Sequence, residues 1–455
     1  MKSLLLSFAA ALFFTAVFSA GAADSDETEE SSMRGVINYG TDNEIAALVK
    51  KLRDDGIDYM DDDLIRLASK TKNQNIIMGI FSFFGERLRV GLEELALEIA
   101  AERENETPIK VTAALDYLGS VKEKKAIPVL TEIISSGDAR YAGVSIRTLG
   151  KVIDSETPEA GAITEMLIDY YNNGGGSNGE NREAVIAAVG SGGGEAAPSF
   201  LLEIINDDTQ SAPLRMAALE AAGKLNGTEA RNAVLGAITA SASSADPNIR
   251  FAAVGALGGF ESAETDAIIL ESFRDSYFRT RLAAIRAAKT RRLVEAVPYM
   301  RYRAENDEAA VVKEEAVRAL GDMRDNEADT ALLALLENTK TSDSLRSLCA
   351  EMLIKNDADA YAEKIIAKFD EAKTKKQTAL YKGLLNALSF AKTRKVENLA
   401  ARLFAGNDVA EKFYALDMTA NNRFTAFKDE VEKLSKDKNI SLSRRAQKTL
   451  ESLDG

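Results

Sequence analysis

From residue 41 onward, apolar residues recur at helical spacing. In TDNEIAALVKKLRDDG, Ile45, Leu48, Val49 and Leu52 fall on one face of a helix. Thr41 stands three residues before Glu44, which predicts a capping box, and Gly56 marks the stop. The same pattern runs almost to the end. No stretch shows the period-two alternation and β-branched enrichment of strands, and only 7 Pro interrupt the run. The pattern predicts an all-α chain.

The helices repeat. AALDYLGS, IRTLGK, LRMAALEAAGK, IRFAAVGALGG and VKEEAVRALGD are versions of one helix end, and AIPVLTEII and AAPSFLLEII are versions of the helix that follows. Gly119, Gly150, Gly190, Gly223, Gly258 and Gly321 form a column with steps of 31, 40, 33, 35 and 63. The last step spans a repeat with Lys289 or Thr290 in the column, and the step of 40 holds the loop NNGGGSNGEN. A period near 33 fits two helices and two turns. The column is read as the end of each first helix, in the left-handed conformation that suits glycine. Ala217/Ala218, Ala252/Ala253 and Ala283/Ala284 let neighbouring helices approach closely. Pro128, Pro198 and Pro298 belong in the first turn of the second helix, where a missing N–H costs nothing. Leu201, Leu202 and Ile205 complete a shared core. One hairpin cannot bury its apolar face alone, so the units must stack.

The IRFAAVGALG core and the AIPVL start of the second helix resemble the HEAT-repeat family, in particular its bacterial phycobilisome-lyase HEAT-like type. The resemblance covers roughly residues 70–450. It implies an α-solenoid of about eleven or twelve hairpins whose second helices line a face that holds a protein or peptide. It also implies an enzymatic alternative, because the family includes lyase subunits.

The N-terminus gives an address. MKSLLLSFAAALFFTAVFSAGAA has a basic start at Lys2, an apolar run from Leu4 to Phe18, and Ala20 and Ala22 before a cleavage point. The apolar run falls short of the ~20 residues that cross a bilayer. Residues 1–22 are read as a signal peptide, 23–40 as an acidic disordered leader, and 41–455 as the solenoid with irregular first and last repeats. Later segments lack a membrane span. Export to the bacterial periplasm is the first expectation, and secretion the second.

Composition narrows the chemistry. The 455 residues contain no His, no Trp and one Cys, so His-dependent triads, His-ligated metals and an internal disulfide are excluded. Cys349 lies in the helical pattern SLRSLCAEMLI and reads as a small buried hydrophobe. Net charge is -14, which with export speaks against nucleic acid as a partner. The glycine clusters at 174–179 and 190–195 lack the Lys of a phosphate loop and read as turns. The acids at Asp61–Asp63, Asp207/Asp208, Asp325–Asp329 and Asp357/Asp359 lack calcium-loop spacing and read as helix caps. No cofactor or metal is expected.

Two sets of cations stand out. Arg182, Arg215, Arg250, Arg281, Lys313 and Arg346 recur at intervals of 33, 35, 31, 32 and 33, each 8 residues before the column. Asn178, Ser211, Asp246 and Ser342 precede four of them by 4 residues. Such regularity points to a repeated structural bond to a neighbouring turn. The second set is not periodic. Residues 274–303 carry nine cations against Asp275 and Glu295, a local +7 in a chain of -14. The candidate binding residues are Arg274, Tyr277, Arg279, Arg281, Arg286, Arg291, Arg292, Tyr299, Arg301, Tyr302 and Arg303, because Arg and Tyr are common interface anchors. The competing reading is that acidic neighbours neutralise them. If the cations are free, the partner is an acidic protein segment, an anionic envelope polymer or a lipid headgroup. The sequence therefore reads as a non-enzymatic envelope scaffold or adaptor. A lyase-like enzyme subunit and a purely structural spacer are the alternatives.

Overall fold

The computed structural model describes residues 25–57, 59–174 and 179–454. The segment read as a signal peptide lies outside them, as do Asn178 and most of the first glycine cluster. By backbone contacts the chain divides into two units, one up to Gly194 and one from Glu195 onward.

In the first unit, α1 (Ser25–Tyr39) precedes four hairpins. These are α2 (Asp42–Asp55) with α3 (Asp61–Lys70), α4 (Gln74–Glu86) with α5 (Glu93–Ala101), α6 (Pro108–Ser120) with α7 (Ile127–Ser135), and α8 (Ala142–Val152) with α9 (Ala160–Asn172). Helix α10 (Gly179–Gly192) closes it. The second unit opens on α11 (Ala196–Asn206) and continues with α12 (Ala212–Ala222) and α13 (Thr228–Ser241), α14 (Pro247–Leu257) and α15 (Ala263–Ser272), α16 (Phe278–Arg291) and α17 (Val297–Asn306), and α18 (Ala310–Met323) and α19 (Asn326–Glu337). Then come α20 (Asp343–Thr374), α21 (Thr378–Ser389) with α22 (Glu397–Ala405), α23 (Val409–Asn422) with α24 (Lys428–Leu434), and α25 (Ile440–Asp454). Helix α20 is itself a hairpin, broken at Asp357 (φ -153°, ψ 93°). The two units hold eleven hairpins, and α10 and α11 are a twelfth by sequence. All regular elements among the described residues are helical, as the periodicity predicts.

Local signals explain most boundaries. Thr41 and Glu44 form the predicted capping box, and Gly56 is left-handed at φ 69°. Pro128 and Pro298 sit at the starts of α7 and α17, and Pro198 lies in the first turn of α11. Residues 25–39 are helical, which corrects the expectation of a disordered leader. The leader sequence is polar but not wholly so: Met33 is buried, and Arg34 pairs with Glu30 and with Asp63 of α3. These contacts order a segment that composition alone marks as solvated.

The glycine column also needs correction. None of its six glycines has positive φ. They lie within the last turn of the first helix or directly after it. Their role is close approach between successive first helices. A Cβ at Gly150 would lie 3.1 Å from Ala188 Cα, at Gly223 2.8 Å from Ala256 Cα, and at Gly258 3.1 Å from Ala287 Cα. A Cβ at Gly321 would meet the Met352 side chain at 2.7 Å. The left-handed turn falls a few residues later and is often taken by a basic residue, as at Lys122, Arg292, Arg324 and Arg423. The alanine pairs serve the same contact, with Ala218, Ala252, Ala253, Ala283 and Ala284 buried. Each first helix thus packs on the next, α4–α6–α8–α10 in one unit and α12–α14–α16–α18–α20 in the other. Second helices form the opposite layer, with α5–α7–α9 and α17–α19 in contact.

Candidate functional site

The periodic cations are structural. Arg215 Nε donates to Ile205 O at 3.1 Å, and Lys313 Nζ to Glu305 O at 3.2 Å. Arg346 Nε donates to Leu336 O at 2.8 Å. Arg250 and Arg281 donate to Ser244 O and Asp275 O, each at 2.9 Å. Each therefore satisfies carbonyls at or just past the end of the preceding second helix, where helices leave acceptors unpaired and negative. Arg182 departs from this: its guanidinium lies over the Tyr171 ring at 4.4 Å.

Four rungs carry an added carboxylate: Arg215 pairs with Asp208 at 2.8 Å and Arg346 with Asp343 at 3.5 Å, and two others hold theirs in two-pronged fashion. Arg250 grips Asp275 through Nε and Nη2 at 2.7 and 3.0 Å. Arg281 grips Asp307 through the same atoms, both at 2.7 Å. Burial works against the charge of Asp307, yet the Arg281 guanidinium and the Ala309 N–H hold its carboxyl below the ordinary range. Asp275 behaves likewise between burial and Arg250. The Arg281 guanidinium is raised first by its bond to Asp307.

Most of the aperiodic basic run is neutralised in the same way. Arg274 pairs with Glu271 at 2.7 Å and stacks on Tyr299. Arg286 pairs with Glu315 at 3.1 Å, and Arg291 with Asp266 at 2.9 Å. Arg301 and Arg303 reach Glu305 and Asp307, each at 3.5 Å. Among the eight arginines named as candidates, only the side chains of Arg279 and Arg292 make no ion pair or hydrogen bond with the described residues. They stand near opposite ends of α16, about 20 Å apart at 1.5 Å per residue. The run does not form a field of free cations. Tyr277 donates to Asn248 and packs on Phe278, and Tyr299 packs on Phe273. Of the candidate aromatics, only Tyr302 is largely exposed, at 55%.

Tyr302 and Arg301 line a groove of about 520 Å³ between second helices α17 and α19. Val297, Pro298 and Ala331 supply apolar surface, and Glu305, Asn326, Glu327 and Thr330 supply polar groups. Arg303 lies over the Tyr302 ring at 5.3 Å. The sequence reading found Arg301 and Tyr302 but not the α19 wall. That wall falls one repeat later, outside the basic run. The readable signal was the outward position of each second helix.

The family described as spirochaete HEAT repeat protein matches residues 37–449. The chain belongs to that family. Its HEAT repeats are therefore shown, whereas the phycobilisome-lyase type is not. Among solved structures, yeast importin-β (Kap95p) is similar with a TM-score of 0.50 at 12% identity, over 93% of this chain and 67% of that one. Importin β in a polyethylene glycol condition gives 0.44 at 12%, over 95% and 71%. Kap121p bound to Nup53p gives 0.43 at 11%, over 92% and 52%. At such identities the likeness is one of fold. The chain spans about half the length of Kap121p. No curated protein matches it.

Cys349 is buried, and burial pushes its thiol up to about 12. That fits the reading of a packing residue rather than a nucleophile.

Proposed function

We propose that this HEAT chain is a scaffold or adaptor of the bacterial cell envelope, exported through its first 22 residues. It engages a protein partner on the second-helix layer around α17 and α19. The observation that carries this reading is the groove at Tyr302. A large aromatic side chain stands 55% exposed beside an apolar floor. Exposed aromatics flanked by held arginines are the usual anchors of protein interfaces. An acidic partner is the weaker half of the expectation, since the cations meant to attract it are mostly bound to Glu or Asp.

Export rests on the sequence pattern of residues 1–22. Fractionation of cells and determination of the mature N-terminus test it, with cleavage after Ala22 or Ala23 expected. The adaptor reading is tested by capturing partners from envelope extract with the mature protein and with Tyr302→Ala. A defined protein held by the first and lost by the second supports it, provided circular dichroism is unchanged. Equal capture by both moves the site elsewhere, and no capture by either favours a spacer. The enzyme alternative that accompanies the lyase-type likeness has no observation in its favour.

A further inference from the structure

We propose that the α17–α19 groove reads an arginine side chain of an extended segment in the partner protein. This rests on the adaptor reading and specifies its chemistry. The basic run suggests an anionic partner, but the groove itself is not basic. Its charged lining is Arg301, Glu305 and Glu327. Arg301 is committed to Glu305 along the same helix at 3.5 Å. Glu305 also accepts from Asn338 Nδ2 at 3.4 Å. Glu327 stands exposed in the first turn of α19, and its carboxylate makes no ion pair or hydrogen bond with the described residues. The groove therefore offers one uncommitted charge, and it is negative.

The aromatic wall supports the same ligand. Arg303 lies over the Tyr302 ring at 5.3 Å and is fixed from behind by Asp307. The ring already serves as a platform for one guanidinium, and with more than half of the residue exposed it has surface left for another. A guanidinium stacked there could pair with the Glu327 carboxylate through two N–H groups, a geometry that ammonium cannot reproduce. Pro298 and Ala331 would take the apolar neighbours of that arginine in the segment. An acidic segment would meet Glu327 unpaired and would have to break Arg301 from Glu305.

The test uses the full mature chain and fluorescein-labelled heptapeptides Gly-Ser-Leu-Arg-Leu-Ser-Gly, with Gln, Lys or Glu in place of Arg. Binding is read by fluorescence anisotropy at low and high salt. The Arg peptide is expected to bind saturably, with the Gln peptide weaker by roughly tenfold, the worth of one charge-assisted contact. Lys should fall between them. Glu327→Gln should bring the Arg peptide down to the level of the Gln peptide. Tyr302→Ala should weaken it too, and Tyr302→Phe should leave it nearly unchanged. Both substituted groups are exposed, so folding is expected to survive, and circular dichroism checks this. The proposal is overturned if the Glu peptide binds as well as the Arg peptide, if Glu327→Gln changes nothing, or if no peptide saturates at millimolar concentration. A captured partner that is lost with Tyr302→Ala but kept with Glu327→Gln would leave the adaptor reading standing and remove this one.

Discussion

Asp307→Ala should open one part of the array while leaving distant repeats nearly untouched. The Asp307 side chain is fully buried. Its carboxylate accepts two bonds from Arg281 at 2.7 Å, one from Ala309 N at 3.0 Å, and a longer one from Arg303. Removing it leaves Arg281, only 8% exposed, without its hydrogen-bonded counter-charge, and only the more weakly coupled Glu308 and Asp275 remain. Breaking a buried pair from one side costs about 3–5 kcal/mol. Arg281 keeps its bonds to Asp275 O and Ser276 O, so the low end applies. A loss of about 3 kcal/mol raises the local opening constant by roughly 150-fold. Amide hydrogen exchange across α16, α17 and α18 measures it, because stability in a repeat array is a sum of near-neighbour terms. Arg281→Met with Asp307→Leu should recover at least half of the loss, since no lone charge then stays buried. The reasoning is refuted if Asp307→Ala changes exchange there by less than about 1 kcal/mol, well below the range for a broken buried pair. It is equally refuted if the double variant is worse than the single one.

Other outcomes follow from the same geometry. Gly223→Ala places a Cβ 2.8 Å from backbone that cannot move aside, so thermal unfolding should show a loss of about 2 kcal/mol. Gly255→Ala, with nothing within 4 Å, should instead stabilise α14 by about 0.5–1 kcal/mol. Asp275 and Asp307 both titrate below their ordinary value. The stability they give is complete above the unfolded Asp pKa of ~3.9 and is lost as pH falls through the lower folded values. Exchange protection of α14–α18 should therefore decline below about pH 4, and Asp275→Asn should flatten the decline. Cys349 should resist a thiol-labelling reagent until the protein unfolds, and labelling of the native state would contradict its buried placement.

The fold was readable because its signals are local or periodic. Apolar spacing, the Thr41–Glu44 box and the prolines each act within one helix. The alanine pairs and the glycine column gave the repeat, but not the reason for the glycines. Their constraint comes from the next first helix, about one repeat away in sequence, as between Gly223 and Ala256. The basic run misled for a similar cause. A one-dimensional charge count sees Arg281 and Arg286 together, but not Asp307 at the end of α17 or Glu315 on the next hairpin. A spacing signal did exist for the buried rungs. Asp275 and Asp307 each stand six residues before the following ladder cation. The leader was misread because Met33 and Arg34 find partners on α3 and its preceding turn that composition cannot reveal.

The central claim is that a partner protein sits on the second-helix layer at Tyr302. A photo-crosslinking amino acid placed at 302, at Thr330 and at Gly255 in growing cells tests it most directly. Gly255 lines a separate groove on the first-helix layer and serves as the control. We expect one adduct of defined mass from positions 302 and 330, and none from 255. An adduct from 255 alone, or none from 302 and 330, would contradict the account.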